Sequence, residues 1–180
     1  MRIVPAILGL LLLSIVTGLG AVDITTPVAG AKVYFTPGDQ AEAAVVDAIG
    51  AARTSVLVQT YSFTSVPIAK ALVAAKDRGV DVHVISDRDN ETSKYTALDF
   101  VAGKGVEVQV DDKVAIAHNK VIIIDRAIVL TGSYNWTRAA QDKNAENLLI
   151  LPSAELAAAY TANWEARHVK SRPYVRRADR

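Results

Sequence analysis

The sequence contains no cysteine among its 180 residues. It can therefore form neither a disulfide nor a thiolate metal site, and a zinc finger is excluded. The HExxH, EF-hand and P-loop motifs are missing as well. We therefore expect a protein that uses neither a metal nor a nucleotide cofactor.

A marked excess of one charge is also lacking. The 20 basic residues nearly balance the 19 acidic ones, and the formal net charge of +1 falls to 0 if Arg2 is lost with a leader peptide. Nucleic-acid-binding proteins usually carry a basic footprint, so this balance argues for caution about such a partner. Basic residues are concentrated only in residues 169–180, which we expect to form a solvated, frayed C-terminal tail rather than a binding arm.

The one long hydrophobic run is at the N-terminus. Met1 and Arg2 precede an apolar stretch from Ile3 to Val16, and small residues follow up to Ala21. This pattern predicts a signal peptide over residues 1–21, with an uncleaved anchor as the alternative. We therefore expect a periplasmic or secreted protein, in which residues 22–32 form a linker.

The rest of the chain alternates between strand-like and helix-like segments. We predict one domain over residues 33–168, of α/β class, with a mixed β-sheet flanked by helices on both faces. The expected strands cover residues 33–36, 55–62, 80–86, 106–110, 120–125, 128–131 and 147–151. The expected helices cover residues 39–52, 66–78 and 92–102, a short helix or loop covers 138–144, and a last helix capped by Ser153 extends to about His168.

One short motif, HxKxxxxDxxxxxxGSxN, carries most of the functional information. It combines a nucleophile or proton carrier, a fixed cation and two neutral hydrogen-bond donors. Such a set suits the binding and cleavage of a phosphodiester without a metal. The motif residues are His118, Lys120, Asp125, Gly132, Ser133 and Asn135.

The motif spans two apolar runs that we expect to pair as a β-hairpin. With Arg126 and Ala127 as the turn, Lys120 would face Ser133 and His118 would face Asn135, at about 4.5–5.5 Å. Arg-Ala is a poor sequence for a primed turn. Asp125 is out of step with the two preceding motif residues, so we interpret it as a structural residue that holds the turn or a neighbouring amide.

The motif resembles the HKD signature of the phospholipase D superfamily. Further segments resemble the small, single-motif bacterial endonucleases of that superfamily, and the resemblance extends from about Val33 to Arg167. These segments are residues 61–64, 71–76, 78–81, 131–137 and 143–147.

The resemblance implies a phosphohistidine mechanism. His118 would be the nucleophile in one subunit and the acid and base in the other, within a homodimeric site. Lys120, Ser133 and Asn135 would bind the phosphoryl oxygens. Glu146 occupies the position of a family glutamate that hydrogen-bonds the catalytic histidine, and an imidazole nucleophile needs such a partner to fix its tautomer.

Several other residues have ordinary interpretations. His83 fits a strand, and His168 fits a helix C-terminus, where a cation is favoured. Tyr134 and Trp136 alternate with the site residues, so we expect them in the core. Arg88 and Asn90 are weak site candidates, and we do not expect Asp87 and Asp89 to form a metal pair.

Three functions are compatible with the sequence. The first is a metal-independent endonuclease that cleaves DNA, with RNA also open. The second is a phospholipase D that acts on a lipid head group by the same chemistry. The third is a non-catalytic dimeric binding module, which the complete set of polar motif residues disfavours.

Overall fold

The computed structural model describes residues 23–179, which form one mixed eight-stranded sheet with helices on both faces. The signal peptide expected over residues 1–21 lies outside the described residues. The strands are β1 Lys32–Thr36, β2 Ser55–Thr60, β3 Asp81–Asp87, β4 Glu107–Asp111, β5 Val121–Ile124, β6 Ile128–Gly132, β7 Glu146–Pro152 and β8 Arg172–Pro173. The helices are α1 Ala41–Ala51, α2 Val66–Asp77, α3 Asp89–Thr92, α4 Leu98–Gly103, α5 Arg138–Asp142 and α6 Ala154–His168.

The strand order is β1-β7-β6-β5-β2-β3-β4-β8. Strands β2, β3 and β4 are parallel and are connected through α2 and α4, whereas all other neighbours are antiparallel. The predicted mixed sheet is thereby confirmed. The motif hairpin of β5 and β6 occupies the middle of the sheet, next to β2.

The central strands are apolar on both sides, which explains why they read as continuous hydrophobic runs. Ile122 and Ile124 point into the larger core under α1, α2 and α4, and Ile123 points into a smaller core under α6. Trp164 of α6 closes the smaller core and donates its indole N–H to the Val58 carbonyl at 3.0 Å. Within residues 23–179, no helix has the length and apolarity needed to cross a bilayer.

The hairpin forms as predicted, but its predicted register is wrong by one residue. Val121 faces Thr131, and three residues rather than two separate Ile124 from Ile128. Asp125 and Arg126 both have positive φ, at 52° and 51°. Asp enters the left-handed region more readily than most residues, so the turn begins at Asp125 instead of at the poorer Arg-Ala pair.

The predicted helix over 92–102 is also wrong in its first half. It is replaced by α3, a connecting segment and α4. The connecting residues Ser93 to Thr96 lack a buried apolar face, and serine and threonine compete with helical hydrogen bonds. The amide of Ala97 instead donates to the Phe63 carbonyl at 2.8 Å, which draws the chain toward the sheet before α4 begins.

The C-terminal segment is not the frayed tail that the sequence suggested. Strand β8 pairs with β4, and Tyr174 is buried, with its hydroxyl donating to Asp99 at 2.8 Å. The guanidinium of Arg172 donates to Glu91 at 2.6 Å and to Asp112 at 2.9 Å. Basic residues that look like a solvated run are therefore used, in part, to attach the chain end to the edge of the sheet.

Asp125 joins the hairpin to β2. Its carboxylate accepts hydrogen bonds from the amides of Arg53, Thr54 and Ser55 at 2.8–3.1 Å and from the Thr54 hydroxyl at 2.9 Å. Burial alone would raise the pKa of this carboxyl, but the amide hydrogen bonds outweigh it and hold the pKa below its usual value. The ionised carboxylate therefore stabilises the fold.

We expect Asp125→Ala to lower the free energy of unfolding by about 2–4 kcal/mol, because three backbone amides lose a charged acceptor. Since the folded pKa is depressed, this contribution is present above the unfolded pKa of about 4 and disappears as the pH falls through the folded value. Urea unfolding at pH 7 and at several pH values below 4 measures both effects. Asp47→Ala, at an exposed position on α1, is the control and should change stability by no more than about 0.5 kcal/mol. An equal loss in both variants would contradict the assignment.

Candidate active site

Six of the motif-related residues line one open depression of about 360 Å³ at the strand ends in the middle of the sheet. The segment before β5 supplies two of them, the last residue of β6 and the chain after it supply three, and the start of β7 supplies the last. The lining residues are His118, Lys120, Gly132, Ser133, Asn135 and Glu146. They meet despite the shifted register because the chain leaves the ladder at Gly132, where φ is +150°.

The centre of the site is the contact between His118 and Lys120. The Lys120 ammonium lies 3.0 Å from His118 Nδ1 and donates to the His118 carbonyl at 2.7 Å. The same ammonium lies 3.3 Å from His118 Nε2, so it is close to both ring nitrogens. Lys120 is buried while His118 is exposed, so the site offers an open imidazole above a fixed cation.

Two opposing influences act on the cation. Burial lowers the pKa of Lys120, and the negative charge of Glu146 acts in the opposite direction, with a net lowering. A partly desolvated ammonium interacts strongly with an anion that enters the depression, because water screens it less than at the surface. The site therefore suits a phosphate group.

Tyr61 belongs to this site, although the motif gave no reason to choose it. Its ring centroid lies 4.4 Å from that of His118 and 5.0 Å from Lys120 Nζ. The Tyr61 carbonyl accepts a hydrogen bond from the buried Asn90 amide at 2.6 Å, and the same amide donates to Ser86 at 2.8 Å. Asn90, a weak site candidate from the sequence, thus supports the backbone of Tyr61.

Gly132 is required by the close approach of β7. A side-chain Cβ at this position would lie 2.2 Å from the Asn147 carbonyl oxygen. The amides of Ser133 and Tyr134 donate to that same oxygen at 3.1 and 3.2 Å, and the Asn147 amide donates to the Ser133 hydroxyl at 3.1 Å. These bonds hold Ser133 at the rim of the depression. The buried Asn135 Oδ1 accepts no hydrogen bond from any described residue, which leaves this amide oxygen unpaired beside the site.

Glu146 lies in the depression, but the hydrogen bond that its carboxylate accepts is from Asn144 Nδ2 at 3.1 Å. Within residues 23–179 no hydrogen bond joins it to His118. The contact implied by the family resemblance therefore stays a prediction. Arg88 is exposed, and its guanidinium donates to the Ala115 carbonyl at 3.1 Å rather than lining the depression.

Asp87 holds the segment that leads into the motif. The buried carboxylate accepts the Ala117 amide at 2.6 Å and the Asp89 amide at 2.9 Å. Its carboxylate is therefore occupied by backbone donors. Tyr134 and Trp136 are buried in the larger core, as predicted from their alternation with the site residues.

A second cavity of about 240 Å³ adjoins the depression and shares His118 with it. Its wall includes Asp111, whose carboxylate accepts a hydrogen bond from Arg167 Nε at 2.6 Å and also contacts the Arg167 Nη2 atom. The cavity extends the site toward α6 with polar side chains from β2 and α6, Gln59 and Asn163 among them.

Comparison with known proteins identifies the family. A family model described as "Cardiolipin synthase, PLD-like domain" matches residues 45–167, more than half of the chain. The chain belongs to the phospholipase D superfamily. The resemblance first noticed in the HKD motif is thereby confirmed.

A protein of Rickettsia bellii named phospholipase D is 40% identical to this chain, over 76% of this chain and 68% of the relative. A protein of Rickettsia felis with the same name is 41% identical over 72% of this chain and 65% of the relative. A mitochondrial cardiolipin hydrolase of Canis lupus familiaris is 30% identical over 77% and 55%. The chain thus spans about two thirds of the length of the bacterial relatives and about half of the canine one.

Solved structures give the same family. The crystal structure of a phospholipase D family member, Nuc from Salmonella typhimurium, is 39% identical, with a TM-score of 0.77 over 80% of this chain and 97% of that chain. NucT from Helicobacter pylori is 26% identical, with a TM-score of 0.73 over 80% of this chain and 98% of that chain. The phospholipase D domain found here therefore matches nearly the whole length of these two proteins.

We expect Gly132→Ala to lower the free energy of unfolding by about 2–4 kcal/mol and to lose activity, because the new methyl group must displace the β7 backbone at Asn147. The control is Gly50→Ala, in the exposed interior of α1 with no heavy atom near its Cβ, which should gain up to about 1 kcal/mol. Urea unfolding of both variants measures the difference. Stability equal to the wild type in Gly132→Ala would contradict the close approach.

Proposed function

We propose that this chain is a metal-independent phosphodiesterase that cleaves DNA as a non-specific endonuclease, through a phosphohistidine formed on His118. The observation that carries the proposal is the exposed His118 imidazole beside the buried Lys120 ammonium. Ser133 and Asn135 lie in the same depression. This set supplies a nucleophile and phosphate-binding groups without a metal ligand.

The proposed reaction has two displacements. In the first, a ring nitrogen of His118 attacks phosphorus, the ester P–O bond breaks, and the leaving oxygen takes a proton from His118 of the partner subunit. In the second, that partner imidazole accepts a proton from water while the water oxygen bonds to phosphorus and the P–N bond breaks. Lys120 stabilises the charge on the phosphoryl oxygens in both steps, and Glu146 orients an imidazole.

The need for two histidines supports a homodimer. The chain has three histidines, and the other two, His83 and His168, lie together with ring centroids 6.1 Å apart, away from the depression. A second His118 can reach the same phosphate only from another copy. A two-fold axis through the exposed depression would bring the two side chains together.

A phospholipid is the second candidate substrate. The names of the relatives favour it, since they include phospholipase D and mitochondrial cardiolipin hydrolase. DNA is supported by the resemblance to the small single-motif endonucleases and by the open, shallow form of a depression that would admit a polymer. The chemistry at phosphorus is the same for both substrates.

We expect His118→Ala to lower turnover by about 10⁴-fold or more while the dimer persists in size-exclusion chromatography, because the covalent step is lost. Hybrid dimers, with differently tagged wild-type and His118→Ala subunits, test whether the site is shared. Independent sites would leave half of the wild-type activity. A shared site that needs both histidines would leave far less than half, so a hybrid with half activity would contradict the two-histidine mechanism.

The substrate is tested with purified protein in EDTA, given supercoiled plasmid in one reaction and vesicles of phosphatidylcholine or cardiolipin in another. We expect nicked plasmid and intact lipid, because the proposed reaction uses no metal and acts on DNA. Released head group or phosphatidate with intact plasmid would favour the lipid function. Activity that disappears in EDTA and returns with a divalent metal would contradict metal-independent catalysis.

A further inference from the structure

A second group of reactive side chains lies away from the depression, where α6 crosses β3 and β4. His83 and Glu107 are direct partners in the parallel ladder of these strands, and His168 is the last residue of α6. His83 Nδ1 is 3.2 Å from Glu107 Oε2, and His168 Nε2 is 3.1 Å from Glu107 Oε1. The three ligand atoms all lie within 4.8 Å of one another.

These atoms have the chemistry and spacing of a metal site. Two imidazole nitrogens and a carboxylate oxygen suit a borderline divalent ion such as Zn²⁺. Tetrahedral Zn²⁺ with bonds of about 2.0–2.1 Å separates neighbouring ligand atoms by about 3.3 Å. Each histidine already lies at about this distance from one of the two Glu107 oxygens, His83 from Oε2 and His168 from Oε1. The side chains are between 21% and 49% exposed, so an ion can enter from solvent.

The hydrogen bonding at this position is incomplete in a way that a cation would correct. His83 Nδ1 is buried and forms no hydrogen bond with any described residue, although it points to Glu107. His168 Nε2 faces two partners with opposite demands. The Gln109 amide nitrogen at 2.8 Å needs a lone pair there, whereas Glu107 Oε1 at 3.1 Å needs a proton. A metal ion between His168 Nε2 and the carboxylate takes a lone pair from each, and the Gln109 amide nitrogen keeps Glu107 Oε1, at 3.0 Å, as its acceptor.

The surrounding groups resemble an outer shell of supporting contacts. The other nitrogen of His83, Nε2, lies 2.7 Å from Asp81 Oδ1, which is the carboxylate–histidine arrangement that orients metal-binding imidazoles. The His168 ring stacks on Trp164 with centroids 4.7 Å apart. Gln109 Oε1 is buried without a hydrogen-bond partner among the described residues, while the amide nitrogen faces the site. A water, or this oxygen after a 180° turn of the amide, can complete four-fold coordination.

We infer that His83, Glu107 and His168 bind one divalent transition-metal ion of the zinc type, which fastens the end of α6 to β3 and β4. The ion is structural. His83 precedes Asp87 by four residues, about 13 Å along β3, and Asp87 is the residue that holds the motif segment. Removal of the ion therefore lowers the stability of the fold and leaves the reaction at His118 unaffected. The inference does not depend on the proposed function.

The experiment uses the metal-stripped chain titrated with ZnCl₂ alone, by calorimetry and by thermal unfolding. We expect one ion per chain and a Tm that rises with zinc concentration, because the ion binds only the folded state. His83→Gln and His168→Gln should each weaken binding by at least about 100-fold, and Asp81→Asn by about 10–100-fold. The matched control is His118→Gln, which changes the third histidine and should bind zinc like the wild type.

The outcomes separate the inference from its alternatives. Unchanged zinc affinity in His83→Gln or His168→Gln would overturn it, as would equal weakening in His118→Gln. Should a histidine variant fail to fold, Asp81→Asn still decides, since it removes the negative charge that supports His83 and leaves all three ligands. Wild-type protein that binds no zinc and shows no shift in Tm would also overturn the site.

Discussion

The hydrogen bonds between the Asp125 carboxylate and the amides of residues 53–55 determine where the motif residues emerge. They attach the turn of the central hairpin to the first residue of β2. With this end fixed, the antiparallel ladder sets the position of the other end, where His118 and Lys120 enter β5 and Ser133 and Asn135 leave β6. A charged acceptor shared by three amides is a strong constraint because each unsatisfied amide would be costly.

The electrostatics of the depression follow from unequal exposure. Lys120 is buried beside an exposed His118, so the cation is held in place while the imidazole remains open to solvent. Glu146 counteracts the effect of burial on the ammonium. The small overall charge of +1 is compatible with this arrangement, since the binding of one phosphate depends on the local cation rather than on the net charge of the chain.

Helix α6 connects the cavity beside His118 with the proposed metal site at Glu107. Its Trp164 closes the smaller core, its Arg167 pairs with Asp111 in the cavity beside His118, and its His168 ends at Glu107. The segment that follows adds β8 to the edge strand β4. An edge that would otherwise expose unpaired backbone groups is thereby covered in part by the chain end.

The sequence by itself determined the order and type of the main elements and the identity of the motif residues. Apolar runs such as residues 121–124 and helix signals such as Ser153, whose hydroxyl accepts the Leu156 amide, act locally and can be read from neighbouring residues. Phosphodiester chemistry could be inferred at the motif because few kinds of site combine histidine, lysine, serine and asparagine at this fixed spacing.

Only the tertiary structure decided the features that depend on distant partners. The hairpin register required the amides of residues 53–55, the break before α4 required the Phe63 carbonyl, and the docking of the C-terminus required Glu91 and Asp112. The grouping of His83 with His168 depends on how a helix end crosses two strands, and no local pattern encodes that crossing. Such contacts join residues far apart in the chain, so no local stretch of the sequence contains both partners.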